Sequence, residues 1–116
     1  MDLETLRNYC LKKPGTSEDF PFGEETLVFK VGTKAFLLTG VLTLESINLK
    51  CDPEKAVELR ESYEDIIPGY HMNKKHWNTV SLTGRLNDKF VFELIDHSYE
   101  MVVKGMSKNE RLRIKN

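Results

Sequence analysis

The chain has 116 residues, 40% hydrophobic and 30% charged, the size of one domain spanning 1–116, large enough to fold without metal or disulfide support. Seventeen Lys and Arg against eighteen Asp and Glu leave a net charge of -1, which excludes a polycation that grips nucleic acid through bulk charge. Any anion site is therefore local.

Met1-Asp2-Leu3-Glu4 has neither a basic nor an apolar leader region, and no window approaches the ~20 apolar residues that span a bilayer, so the chain reads as soluble and cytoplasmic. Asp2 is an N-cap for a helix over 3–13, whose stripe is Leu3, Leu6, Cys10 and Leu11, stopped by Pro14-Gly15. Residues 15–25 hold Pro21, two glycines and four acids and read as a loop, with Phe20 and Phe22 pinning it to the core. Thr26 to Val31 and Lys34 to Thr39 flank Gly32-Thr33, a hairpin signal with Gly32 suited to a positive φ. A third alternating run puts Ile47, Leu49 and Cys51 on one face, and Asn48 and Lys50 on the other.

Asp52-Pro53 opens a second helix to about residue 63, with Ala56, Val57, Leu59 and Tyr63 on one side and glutamates over much of the rest. Two short strands follow, Ile66 to His71 and Trp77 to Leu82; Pro68-Gly69 marks the first as an edge or a bulge. Val91, Ile95, Tyr99, Val102 and Met106 give the strongest helical stripe, from Asp88 to Lys104 with its end at Gly105. A short helix is expected after Ser107. The well-separated Cys10 and Cys51 read as buried free thiols.

The charge is unevenly distributed. Residues 1–25 hold three bases and six acids and 52–65 two and six, whereas 71–89 hold four bases and one acid and 104–116 five and one. Such segregation steers an anionic partner to one face. His71-Met72-Asn73-Lys74-Lys75-His76-Trp77 concentrates two histidines, the one Trp and a lysine pair, a mixture suited to phosphate contact and base stacking, with Arg85 just beyond the next strand. The same residues also suit a structural part, with Trp77 plugging the core and the lysines keeping a hairpin tip in water. His71 and His76 are five apart, a poor metal spacing, and no nucleophile with a base and an orienting group is evident. No metal, cofactor or catalytic activity is expected, and His97 reads as a surface residue.

Tyr9-Cys10 with Lys13-Pro14-Gly15, the His71-x-Asn73-Lys74-x-His76-Trp77 run, Thr79-Val80-x-Leu82-x-Gly84 and Ser98-Tyr99 together resemble the MmcQ/YjbR family over nearly the whole chain. The resemblance implies an α+β two-layer sandwich of order α-β-β-β-α-β-β-α, a five-stranded antiparallel sheet with helices on one face, similar to CyaY-like and secretion-chaperone-like folds. The elements read from the residues have that order. The resemblance also implies a DNA-binding protein, with Asn73, Lys74, His76 and Trp77 as contacts, His71 beside them and Lys75 at a variable position. DNA backbone contact through this hairpin and Arg85, with help from Lys108, Arg111 and Arg113, is one expectation. The other is a protein- or peptide-interaction module, or a homodimer, using the acidic second helix or an apolar sheet patch around Val28 and Leu37.

Overall fold

The computed structural model describes residues 1–70 and 72–114. Helix α1 (Leu3–Leu11) starts where the Asp2 carboxylate accepts the Thr5 N–H at 2.8 Å. Strands β1 (Thr16–Asp19), β2 (Thr26–Val31), β3 (Lys34–Gly40) and β4 (Ser46–Lys50) follow, then α2 (Pro53–Ser62), β5 (Ile66–Pro68), β6 (Trp77–Ser81), α3 (Asp88–Lys104) and α4 (Lys108–Ile114). The six strands form one antiparallel sheet of order β1-β2-β3-β4-β6-β5.

The expected elements are present, with one strand more than expected. β1 falls where the sequence reads as a loop, because Thr16-Ser17-Glu18-Asp19 has no apolar alternation to betray a strand. An edge strand needs only backbone pairing with one neighbour, and charges along it deter further strands. Two ion pairs hold it: Arg7 grips Glu18 through two hydrogen bonds, and Lys30 reaches Asp19 at 2.9 Å. Phe20 and Phe22 do not pin the next segment to the core; Phe22 is 74% exposed, as is Leu42 on the neighbouring β3–β4 connection.

Leu27, Phe29 and Val31 of β2, Leu37 of β3, Ile47 and Leu49 of β4, Val80 of β6 and Ile66 of β5 share one sheet face. They join Leu6 and Cys10 of α1 and Val91, Leu94, Ile95 and Val102 of α3 in a single core cluster. A bulge breaks the β2–β3 register after Phe29, so the adjacent Phe36 and Leu37 are both fully buried, an arrangement that period-two alternation forbids. The expected apolar patch around Val28 and Leu37 is therefore absent: Leu37 belongs to the helix-covered face, and Val28, on the other, is buried too. On α2, Ala56 is buried but Val57 points outward. Gly32 takes φ 60° in the hairpin turn, as expected. Both cysteines are free and buried, and burial pushes the Cys10 thiol up to about 12 and Cys51 up to about 11. No helix among the described residues is long and apolar enough to cross a membrane.

Candidate functional site

Antiparallel pairing gives the sheet two ends with different contents. At one lie the β2–β3 turn, the ends of β4 and β5, the start of β6 and the start of α2, whose neighbouring Cys51 N–H bonds the His76 carbonyl at 2.8 Å. The other end holds the 20–25 and 41–45 connections, the end of α2 and the start of α3.

The 69–77 connection is at the first end, and the backbone of its described residues is closely held. The Asn73 carbonyl accepts N–H groups from His76 and Trp77, and its side-chain oxygen takes the Lys75 N–H at 2.9 Å. Lys74 Nζ donates to the Gly69 carbonyl at 3.1 Å, and Gly69 N–H to the Trp77 carbonyl at 2.8 Å. From α2, the Arg60 guanidinium donates to Asn78 Oδ1 at 2.6 Å, to the Trp77 carbonyl at 3.2 Å and to the Lys74 carbonyl. Asn78 is itself buried and donates back to the Ala56 carbonyl. Asn73 and Lys74, though exposed, thus brace the loop's own backbone. Arg60, which sequence reasoning passed over, is the clamp that fixes the loop to α2.

Lys75 is exposed, His76 and Trp77 are half-buried, and His71 lies outside the described residues. Trp77 pairs with Lys50 across the β4–β6 ladder, on the sheet face away from the helices. Arg85 does not join this group. Its N–H bonds Asp65 at 2.8 Å at the far end of β6, about 16 Å of strand away from Trp77; nearness in sequence is undone by the extended chain between.

Tyr9, Lys13, Pro14 and Tyr99 meet elsewhere. Asp96 of α3 accepts the Tyr9 hydroxyl at 2.6 Å and the Lys13 ammonium, which also sits 5.0 Å and 5.2 Å from the ring centres of Tyr9 and Tyr99. Tyr99 donates to the Pro14 carbonyl at 2.6 Å. Burial first, then Asp96, holds the Tyr9 phenol well above its ordinary range. These contacts fasten the end of α1 to α3. Among the described residues no group of three or more His, Cys, Asp or Glu is arranged to hold a metal ion.

His97 is half-buried rather than a plain surface residue. Its Nε2 accepts the Asp52 N–H at 3.2 Å, which requires an unprotonated nitrogen. Burial, and then Lys55, lowers its pKa against the opposing pull of Glu100 and Asp52. The folded value lies below the unfolded one of about 6.5, so this contribution to stability is complete above that pH and is lost as pH falls through the folded value. A urea-midpoint series from about pH 8 to 5 is expected to decline less steeply for His97→Gln than for the parent; coincident profiles would contradict the assignment.

The two ends differ sharply in charge. Segments 12–17, 30–36, 48–60, 67–77 and 96–114, which make up the half bearing the 69–77 loop, hold thirteen bases and six acids. The other half, 1–7, 18–26, 40–46, 61–66 and 82–93, holds three bases and twelve acids. Among the described residues the ion pairs of the basic half are Lys13 with Asp96 and Lys30 with Asp19; its remaining bases have no ion partner. α4 belongs to this half as well: the Cβ that Gly15 lacks would lie 2.7 Å from Ile114 Cγ2.

The YjbR family model matches residues 11–101. The chain is 39% identical over 113 residues to the uncharacterized protein YbdF of Escherichia coli O157:H7, covering 97% of this chain and 93% of that one. It is 33% identical over 112 residues to the uncharacterized protein YjbR of Escherichia coli K12, covering 96% and 95%. The crystal structure of Deinococcus radiodurans protein DR2400 superposes with a TM-score of 0.91 at 41% identity, over 98% of this chain and 88% of that one. A Pseudomonas syringae protein superposes with a TM-score of 0.72 at 32% identity, over 87% and 98%. Matched by the family model from the end of α1 through most of α3, and by its relatives over nearly the whole chain, this chain belongs to the MmcQ/YjbR family.

Proposed function

We propose that the protein binds DNA by its phosphates, through the basic end of the sheet. The observation that carries this reading is the row of bases without ion partners at that end, set against an acidic opposite end. Lys50 at the end of β4 and Lys75 on the 69–77 loop are two of them, Lys75 bordering a cleft shared with Glu54 and Glu58 of α2. Lys34, Lys108, Arg111 and Arg113 around α4 and the β2–β3 turn form a second set. β3, which begins at Lys34, neighbours β4, which ends at Lys50, so both sets of bases lie at one end of the molecule. The acidic end repels phosphate and selects the orientation of approach, which near-neutral total charge permits. Arg85 has no part in the contact, since it lies in the acidic half.

Fluorescence anisotropy with labelled duplex and single-stranded DNA across a salt series tests the proposal. Four to six phosphate contacts give a log–log slope of about -4 to -5. Lys75→Glu combined with Lys50→Glu is expected to weaken binding by more than about tenfold at low salt, whereas Arg85→Ala leaves it unchanged. Absence of binding to either DNA form at about 20 mM salt, or an equal loss from Arg85→Ala, would sink the proposal.

A further inference from the structure

We infer that the DNA taken by this end is single-stranded and lies on the open face of the sheet, with bases stacked on Tyr70 and Trp77. The inference rests on the DNA reading above and names the form of DNA. The open face is the one the helices leave uncovered, and β6 presents Trp77 and Thr79 on it, opposite Lys50 and Asn48 of β4. The Tyr70 N–H bonds Thr79 Oγ1 at 2.9 Å, so the chain leaving β5 folds back over the open side of β6. There the Tyr70 side chain is 67% exposed, and the neighbouring Ile67 of β5, paired with Thr79, is 50% exposed.

The loop that carries Tyr70 is seated directly on Trp77. A Cβ at Gly69 would come within 2.8 Å of Trp77 Cβ and 3.0 Å of its carbonyl oxygen, so only a glycine lets the backbone pass this close. Two aromatic residues are thereby held by backbone contacts at one corner of the sheet, with Lys50 opposite Trp77 and without an ion partner among the described residues. Thr79 donates to Asn48 Oδ1 at 2.6 Å and accepts the Tyr70 N–H, so its hydroxyl is already engaged on both sides.

This arrangement fits unpaired bases better than a duplex. In B-form DNA the flat faces of the bases are stacked inside the helix and only their edges reach the grooves; single strands offer the faces themselves, and aromatic platforms flanked by cations take them without strong sequence preference. Further along the same face Glu45, Glu64 and Asp65 border the cleft floored by Ile67, Thr79 and Ser81. Their charge repels phosphate and confines the strand to the Trp77 end, a footprint of about two or three nucleotides.

The test is fluorescence anisotropy of the full chain with labelled oligothymidylate of about twelve nucleotides and with a duplex of equal length, at about 20 mM salt. The single strand is expected to bind at least about tenfold more tightly and to quench the Trp77 emission. Tyr70→Ala is expected to weaken single-strand binding by about tenfold while leaving duplex binding unchanged, and Tyr70→Phe to restore it; circular dichroism confirms that each variant is folded. Equal affinity for the two forms, or a harmless Tyr70→Ala, would overturn the single-strand assignment while phosphate binding stands. Binding to neither form removes both.

Discussion

Replacing Arg60 by alanine is expected to lower stability by about 2–3 kcal/mol and the thermal midpoint by roughly 10 °C. The guanidinium holds three acceptors, and they fare differently without it. The Trp77 carbonyl keeps the Gly69 N–H, and the exposed Lys74 carbonyl finds water. Asn78 Oδ1 is buried and Arg60 is its donor at 2.6 Å, so it is left with an unmet acceptor, the expensive outcome for a polar group away from water. Arg60→Lys is not a remedy, because one ammonium cannot hold a side-chain oxygen and two carbonyls in the fork that the guanidinium spans.

The damage should also be local. The amides of 72–77 are expected to exchange with solvent faster in Arg60→Ala, by a larger factor than those of the β2–β3 hairpin, since α2 no longer restrains the loop. DNA affinity falls with it, because Lys75 and Trp77 lose their fixed spacing. A double-mutant cycle with Asn78→Ala is expected to show a coupling of about 1–2 kcal/mol. Additive effects of the two substitutions, or unchanged exchange over 72–77, would refute the clamp.

Arg60 also marks where the sequence ceased to be legible. The periodic elements were readable because burial imposes their periods: the α3 stripe from Val91 to Met106 and the alternation of Ile47, Leu49 and Cys51 appear in the structure as read. β1 was not, because a polar edge strand is defined by backbone pairing alone. The adjacent burial of Phe36 and Leu37 was not, because a bulge leaves no signature in residue type. At the loop, the sequence showed which groups were concentrated but not which of them bond the loop's own backbone; Asn73 and Lys74, both exposed, are engaged by backbone partners only five residues away or fewer. Two signals for Arg60 were present and went unused. It is one of two bases on a strongly acidic helix segment, and Asn78 lies in a strand whose alternation requires it to be buried, hence partnered.

Ser98→Ala is expected to be at least as damaging as Arg60→Ala, at about 2–4 kcal/mol. The reason lies in the bulge. Leu37, Leu38 and Thr39 pair with Leu49, Asn48 and Ile47, and continuing that register would oppose Phe36 to Lys50. Those two residues do not meet in the ladder. Instead the Ser98 hydroxyl, fully buried on α3, accepts the Lys50 N–H at 2.8 Å and donates to the Phe36 carbonyl at 2.5 Å. One side chain from the helix layer thus satisfies the two backbone groups that the bulge separates, and it ties α3 to β3 and β4 together. Alanine removes donor and acceptor at once and leaves both backbone groups unpaired in the interior. Ser98→Thr keeps the hydroxyl and is expected to retain more stability than alanine, reduced by the strain of one added methyl in a packed site. Since Lys50 is one of the proposed phosphate contacts, Ser98→Ala should weaken DNA binding as well, whereas core truncations of equal effect on stability at the far end, such as Val91→Ala, should not. Urea denaturation of the three variants decides the first point: a loss below about 1 kcal/mol for Ser98→Ala would mean that Phe36 and Lys50 re-pair directly, and that the hydroxyl is not what closes the gap.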